Sequence, residues 1–277
     1  MNSPSEPVSE HAWRAPATGL RGYVDSYVGY RTAGGTPARH RGLPSPSLTL
    51  IFTLDDPLVL AGHPDPAQPP GQYQTLVGGL HATPALITHD GNQSGIQLGL
   101  SPLGVRTLLG VPAGEIADID LHADELLGPV AKEIQDRIRS AATWADRFAV
   151  LDQALLALIR TADRPAGISP ETEFAWRRLL RSAGQVPVAD LAAKTGWSER
   201  HLRSRFTQQI GLAPKAAGRV IRFDRARHEL QARAAGGAAL DLAGLAAAYG
   251  YYDQAHLDRE FGLLAGCSPT RWVAEEC

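Results

Sequence analysis

Apolar positions are spaced in two different ways along the chain, and the change of spacing divides it. From about residue 20 to 100, short apolar stretches such as Leu48–Leu54, Leu58–Leu60, Leu76–Val77, Ala85–Thr88 and Gly95–Leu100 alternate with clusters of Gly, Pro, Asp and Asn. Stretches of this length fit strands, and several in succession predict a barrel or sandwich. Residues 1–12 read as a loose arm. A short helix is predicted after Pro102, where Leu103, Leu108 and Leu109 return at helical spacing.

From about 121 to 160 the period changes to three or four. Leu126, Leu127, Val130, Ile134 and Ile138 form one stripe, and Phe148, Leu151, Leu155, Leu158 and Ile159 form another. These are two amphipathic helices, each with a face for its own domain or for a partner. The Pro- and Gly-containing run from Asp163 to Pro170 reads as a linker. Beyond it only helices are predicted. The fold class is therefore α+β: a β-rich, barrel-like domain over 1–162 that ends in a helical pair, a linker over 163–170, and an all-α domain over 171–277.

The all-α part repeats itself. Leu191, Gly196, Leu202, Phe206, Gly211 and Pro214 have counterparts in Leu245, Gly250, Leu257, Phe261, Gly266 and Pro269. Leu to Gly is five residues in both copies, Leu to Phe four, Phe to Gly five and Gly to Pro three; only the turn is one residue longer in the second. This spacing describes a short helix, a tight turn and a second helix crossing the first. Gly196 and Gly250 sit where a helix ends in a left-handed residue, and Ser198 and Asp253 suit the N-cap of the next helix. Leu202 with Phe206, and Leu257 with Phe261, form a buried face, which leaves the opposite face free to enter a major groove.

Residues 172–275 accordingly resemble the DNA-binding domain of the AraC/XylS family of transcription regulators. The resemblance is carried by Gly196-Trp-Ser-Glu-Arg-His-Leu-Arg-Ser-Arg-Phe206 and by Gly250-Tyr-Tyr-Asp-Gln-Ala-His-Leu-Asp-Arg-Glu-Phe261, followed by Gly266-Cys-Ser-Pro269 and Trp272. It implies a sequence-specific DNA-binding protein with two recognition helices, joined by a long helix over about 213–235. The family's base-reading positions fall on Arg200, Arg203 and Ser204 in the first unit and on Gln254, Ala255, Asp258 and Arg259 in the second. Ser198, the N-cap of the first recognition helix, is counted among the DNA-binding residues, and Lys215, near a helix N-terminus, is placed for phosphate contact. Arg219 and Arg222 of the long helix read as a solvated stripe, with phosphate contact as the alternative. Double-stranded DNA is the expected partner, with a homodimer through the helical pair, a small-molecule effector and RNA polymerase as further partners.

Composition adds an asymmetry. The net charge is −2, yet residues 1–170 carry 12 Lys/Arg against 17 Asp/Glu, a net of −5, and residues 171–277 carry 15 against 12, a net of +3. The basic half suits phosphates. No catalytic fingerprint of the nucleotide-binding or hydrolase kind occurs, and two cysteines, Cys267 and Cys277, give no metal or disulfide framework. His40, His63, His81 and His89 have no tight ligand spacing and no evident carboxylate partner, and Arg39-His40-Arg41 reads as surface. No cofactor, no metal and no enzymatic activity are expected. With no signal peptide visible and no long apolar run, a cytoplasmic protein without membrane contact is expected. An effector-binding or enzymatic N-terminal module tethered to DNA is the alternative, and a wet, polar, histidine-lined cavity would mark it.

Overall fold

The computed structural model describes residues 8–162, 167–237 and 239–276. The first seven residues of the predicted arm and positions 163–166 of the predicted linker lie outside the described residues. Ten strands are described: β1 (Val8–Arg14), β2 (Val24–Ala33), β3 (Ala38–Gly42), β4 (Leu48–Thr53), β5 (Leu58–Gly62), β6 (Gly71–Tyr73), β7 (Thr75–Gly78), β8 (Ala85–His89), β9 (Gln93–Leu100) and β10 (Asp120–His122). They form a six-stranded sheet, β1-β2-β9-β4-β7-β10, and a four-stranded sheet, β3-β8-β5-β6, antiparallel throughout.

Alternation along β4 explains the layering. Leu48, Leu50 and Phe52 face one side with Leu98 and Leu100, and join Tyr27, Val105 and Phe148 in the larger core. Ile51 faces the other side and joins Leu58, Leu60, Tyr73, Leu76 and Ala85 in a smaller cluster between the sheets. Side chains at period two reach opposite faces, so one strand serves both cores. The outer face of the large sheet is covered by α1 (Val105–Leu109), α2 (Asp124–Leu127), α3 (Pro129–Ser140) and α4 (Trp144–Thr161).

One expectation changes here. Residues 8–12 are no loose arm: β1 pairs with β2 from Val8↔Ala33 to Arg14↔Tyr27. Its far end is held by Asp152 of α4, whose carboxylate pairs with Arg14 and accepts from the Tyr27 hydroxyl at 3.1 Å and the Ala17 N–H at 3.0 Å. A buried carboxylate needs such partners to offset its lost hydration. The double apolar stripe, in turn, is largely occupied within its own domain. Ile134, Ile138, Phe148, Leu151 and Leu155 are buried there, Leu126, Leu127, Leu158 and Ile159 are half-buried, and only Val130 counts as exposed.

The rest is helical: α5 (Pro170–Arg181), α6 (Val188–Thr195), α7 (Glu199–Ile210), α8 (Pro214–Ala235), α9 (Leu242–Ala248), α10 (Gln254–Ala265) and α11 (Pro269–Glu276). The long helix α8 buries Val220, Phe223, Ala226 and Leu230, and its Phe223 meets Phe261 of α10 edge-on at 4.9 Å between ring centroids. The sheet domain touches this helical part at both ends. A 3-10 turn, Ala113–Ile116, packs on the C-terminal end of α7, where a Cβ on Gly114 would collide with the Gln208 carbonyl oxygen. Arg41 of β3 pairs with Glu275 at 2.7 Å and with Glu276 at 2.9 Å, both on α11.

Candidate DNA interface

The two repeated units adopt the local geometry their residues call for. Gly196 ends α6 with φ +72° and Gly250 follows α9 with φ +74°, a region that costs glycine little. The Ser198 hydroxyl accepts from the His201 N–H to start α7, and the Asp253 carboxylate accepts from the His256 N–H at 2.7 Å to start α10. Leu202, Phe206, Leu257 and Phe261 are fully buried. Burying i and i+4 on each helix fixes which face remains outside.

On α7 that outer face carries Arg200, Arg203 and Ser204, all exposed. Arg205 is half-buried and donates to the Gln208 side chain at 3.0 Å. Arg200 and Arg203 meet the exposed Lys215, in the first turn of α8, along an open cleft of about 690 Å³ that Glu199 and Arg219 also line. Three of the sequence-predicted residues are thus gathered into one place by the Gly211-to-Pro214 turn. On α10, Gln254, Ala255 and Arg259 are exposed and Asp258 is half-buried. A second cleft of about 680 Å³ lies between the units and is lined by Lys215, Arg219, Arg222, His256 and Leu263. Lys215 and Arg219 border both clefts, so α8 forms the floor between the two recognition helices.

Arg219 and Arg222 are not a solvated stripe. Arg219 donates from Nε to both carboxylate oxygens of the buried Glu260, at 3.0 and 2.9 Å, and ties α10 to α8. Arg222 lies over the Tyr251 ring, 5.2 Å from its centroid, and so holds the turn before α10. Tyr252, next to it, is 93% exposed, and composition alone gave no reason to single it out.

The sheet domain holds two polar features that the local sequence does not reveal. His63 does have a carboxylate partner: its Nδ1 lies 2.7 Å from Asp120 Oδ2 in a buried position, with the Tyr73 hydroxyl 3.5 Å from Nε2. The two residues are 57 apart in the chain, so no local spacing announces them. No group of three or more metal-ligating side chains occurs among the described residues. Between the sheets lies a cavity of about 320 Å³ lined by His40, Thr49, His81 and Gln97, and closed at one end by Arg227 of α8 and Trp272 of α11. Burial lowers the pKa of His40 below its ordinary value, helped by the neighbouring His89. Burial likewise lowers that of His81, against an opposing hydrogen bond to the Thr83 carbonyl.

Residues 191–275 match a family model described as a helix-turn-helix domain. The C-terminal region is an AraC-type helix-turn-helix domain. That domain is the DNA-binding unit of a transcription regulator. Residues 14–122 match a model described as a domain of unknown function. No curated protein sequence matches the chain. Among solved structures, an apo form of a ToxT variant from Vibrio cholerae strain SCE256 is similar at 8% identity and TM-score 0.52, covering 99% of this chain and 98% of that one. Wild-type ToxT from the same strain, bound to an unsaturated fatty acid, is similar at 8% identity and TM-score 0.51, covering 95% and 97%. ToxT from Vibrio cholerae O395 is similar at 10% identity and TM-score 0.50, covering 87% and 97%. At such identities the likeness shows the fold: a sheet domain followed by an AraC-type helical domain. No helix among the described residues is long and apolar enough to cross a membrane.

Proposed function

We propose that the AraC-type domain reads one operator with both of its units, α7 and α10 entering successive major-groove segments on one side of the duplex. The observation that carries this reading is the length of the helix between them. The 22 residues of α8 span about 33 Å at ~1.5 Å per residue. That is close to the ~34–36 Å of one helical turn of B-DNA. Arg200, Arg203 and Ser204 read bases in the first segment, with arginine suited to guanine O6 and N7. In the second, Gln254 suits adenine, Arg259 guanine, and Asp258 accepts from cytosine N4, with Ala255 leaving room for close approach. The Ser198 turn and Lys215 contact phosphate. Footprinting of genomic fragments over a range of salt tests the proposal. Protection of two segments one turn apart is expected, and purely non-specific affinity at physiological salt would remove its main support.

The sheet domain is read as the effector-binding part, which the cavity supports. A mixed lining of apolar side chains, histidines, hydroxyl and amide groups and the charged Arg41, Asp120, Arg227 and Glu276 suits a small molecule with both apolar and polar parts. ToxT, similar in fold, has been solved with an unsaturated fatty acid bound. Thermal shift of the full chain against fatty acids and small polar metabolites tests this reading, and an unchanged Tm throughout would argue against it. A homodimer through α3 and α4, and contact with RNA polymerase at the promoter, complete the proposal.

A further inference from the structure

The two units are not electrically alike. Residues 188–211 carry Lys194, Arg200, Arg203 and Arg205 against Asp190 and Glu199, a net of +2. The matching residues 241–266 carry Arg259 against Asp241, Asp253, Asp258 and Glu260, a net of −3. The second unit therefore meets a polyanion with one cation on its recognition helix, Arg259, and with Asp258 on the same helix. Coulombic attraction and counterion release belong to the first unit and to α8. Hydrogen bonding from a neutral donor is what remains to grip phosphate at the second segment, and hydroxyl groups do this without adding charge.

One neutral donor is placed for it. The second turn is longer than the first by a single residue, and the local geometry identifies which. Tyr251 is buried under Arg222, as the half-buried Trp197 is packed edge-on against His201 in the first unit. Asp253 is the N-cap, as Ser198 is. Tyr252 is the extra residue. Its backbone is pinned: the Tyr252 N–H donates to Nδ1 of His256 at 3.2 Å, and both neighbours are fixed by the Arg222 stack and the Asp253 cap. The ring alone is free, 93% exposed, just outside the N-terminus of α10 and two residues before Gln254. A phenol on a fixed backbone loses little entropy when it makes a contact.

We propose that Tyr252 is a DNA-contacting residue whose hydroxyl donates a hydrogen bond to a phosphate oxygen beside the second major-groove segment, so positioning an otherwise acidic recognition helix. This rests on the reading that α10 approaches DNA. The test uses the full chain and the genomic duplex protected in footprinting, with Tyr252→Phe, Tyr252→Ala, Lys215→Ala and Arg203→Ala compared. Tyr252→Phe removes only the hydroxyl and is expected to weaken binding about as much as Tyr252→Ala, roughly ten-fold or more, as for a hydrogen bond to a charged group. The slope of affinity against salt stays that of the wild type, because no charge is lost, whereas Lys215→Ala makes it shallower by about one. A single neutral methylphosphonate at one phosphate of the second segment weakens the wild type but not Tyr252→Phe. All the Tyr252 variants melt like the wild type, the ring being exposed. Wild-type affinity in Tyr252→Phe would overturn the proposal, whether or not Tyr252→Ala binds poorly, and so would a methylphosphonate effect equal in both proteins. If Arg203→Ala loses specific binding while the Tyr252 variants do not, the DNA-reading assignment stands and the role of Tyr252 falls.

Discussion

Neighbouring residues on α7 do opposite work, and that makes the interface testable one side chain at a time. Arg203 is exposed and Leu202 has no exposed surface at all. Arg203→Ala is expected to leave the Tm unchanged, weaken specific binding by about 1–3 kcal/mol and relax preference at one base pair. Leu202→Ala is expected to cost about 2–5 kcal/mol of stability as a core truncation. Equal losses of Tm in the two variants would mean that the helix presents a different face. The histidines of the cavity give a second residue-scale outcome. His40 and His81 both have pKa values lowered on folding, mainly by burial. The unfolded chain therefore binds protons first as pH falls, and stability is complete above the ordinary histidine pKa of ~6.5. It declines below that pH as the folded pKa values are approached. Thermal melts between neutral and mildly acidic pH, on the wild type and on His40→Gln with His81→Gln, should show that decline shrink in the double variant.

At the scale of elements, the two turn glycines look interchangeable in the sequence but not in the structure. Both have positive φ, yet a Cβ on Gly196 would meet open space while one on Gly250 would press on the Gln185 side chain. Gly196→Ala is expected to cost about 1 kcal/mol from backbone strain alone. Gly250→Ala is expected to cost more, with the excess removed in Gly250→Ala/Gln185→Ala, as thermal melting would show. Most of the helical domain was legible because its signals are local: glycine, cap and buried pair lie within a dozen residues of one another. The strands with continuous apolar runs, β4, β5, β7, β8 and β9, were legible for the same reason. The strand β1 was not, because Val8 to Arg14 is mostly polar and exposed, and becomes a strand only through β2 and Asp152. Neither the His63–Asp120 contact nor the Arg219–Glu260 pair could be read ahead, since each joins residues distant in the chain. On the outer face of α7 and α10, by contrast, the exposed positions followed from the buried ones.

At the scale of the whole molecule, the sheet domain and the DNA-reading domain share surfaces at α7 and at α11. The contact at α7 is backbone to backbone, so Gly114→Ala has no flexible side chain to push aside. The variant is expected to fold and to bind its operator with altered affinity; an unchanged Kd would show that the contact does not bear on DNA reading. The proposed homodimer is tested by sedimentation of the full chain and of residues 171–277 at micromolar concentration, with a dimeric full chain and a monomeric fragment expected. With most of the α3 and α4 stripes buried in their own domain, that interface must rest on Val130 and its half-buried neighbours, and Val130→Asp is expected to weaken it. The cavity between the sheets is walled partly by Arg227 and Trp272, which belong to the operator-reading domain. An occupant there would touch both domains, and whatever influence it has on DNA binding is matched by an equal influence of DNA on its own binding, as thermodynamic reciprocity requires. A saturating operator duplex should therefore shift the occupant's Kd by the same factor, and in the same direction, as the occupant shifts the Kd for that duplex.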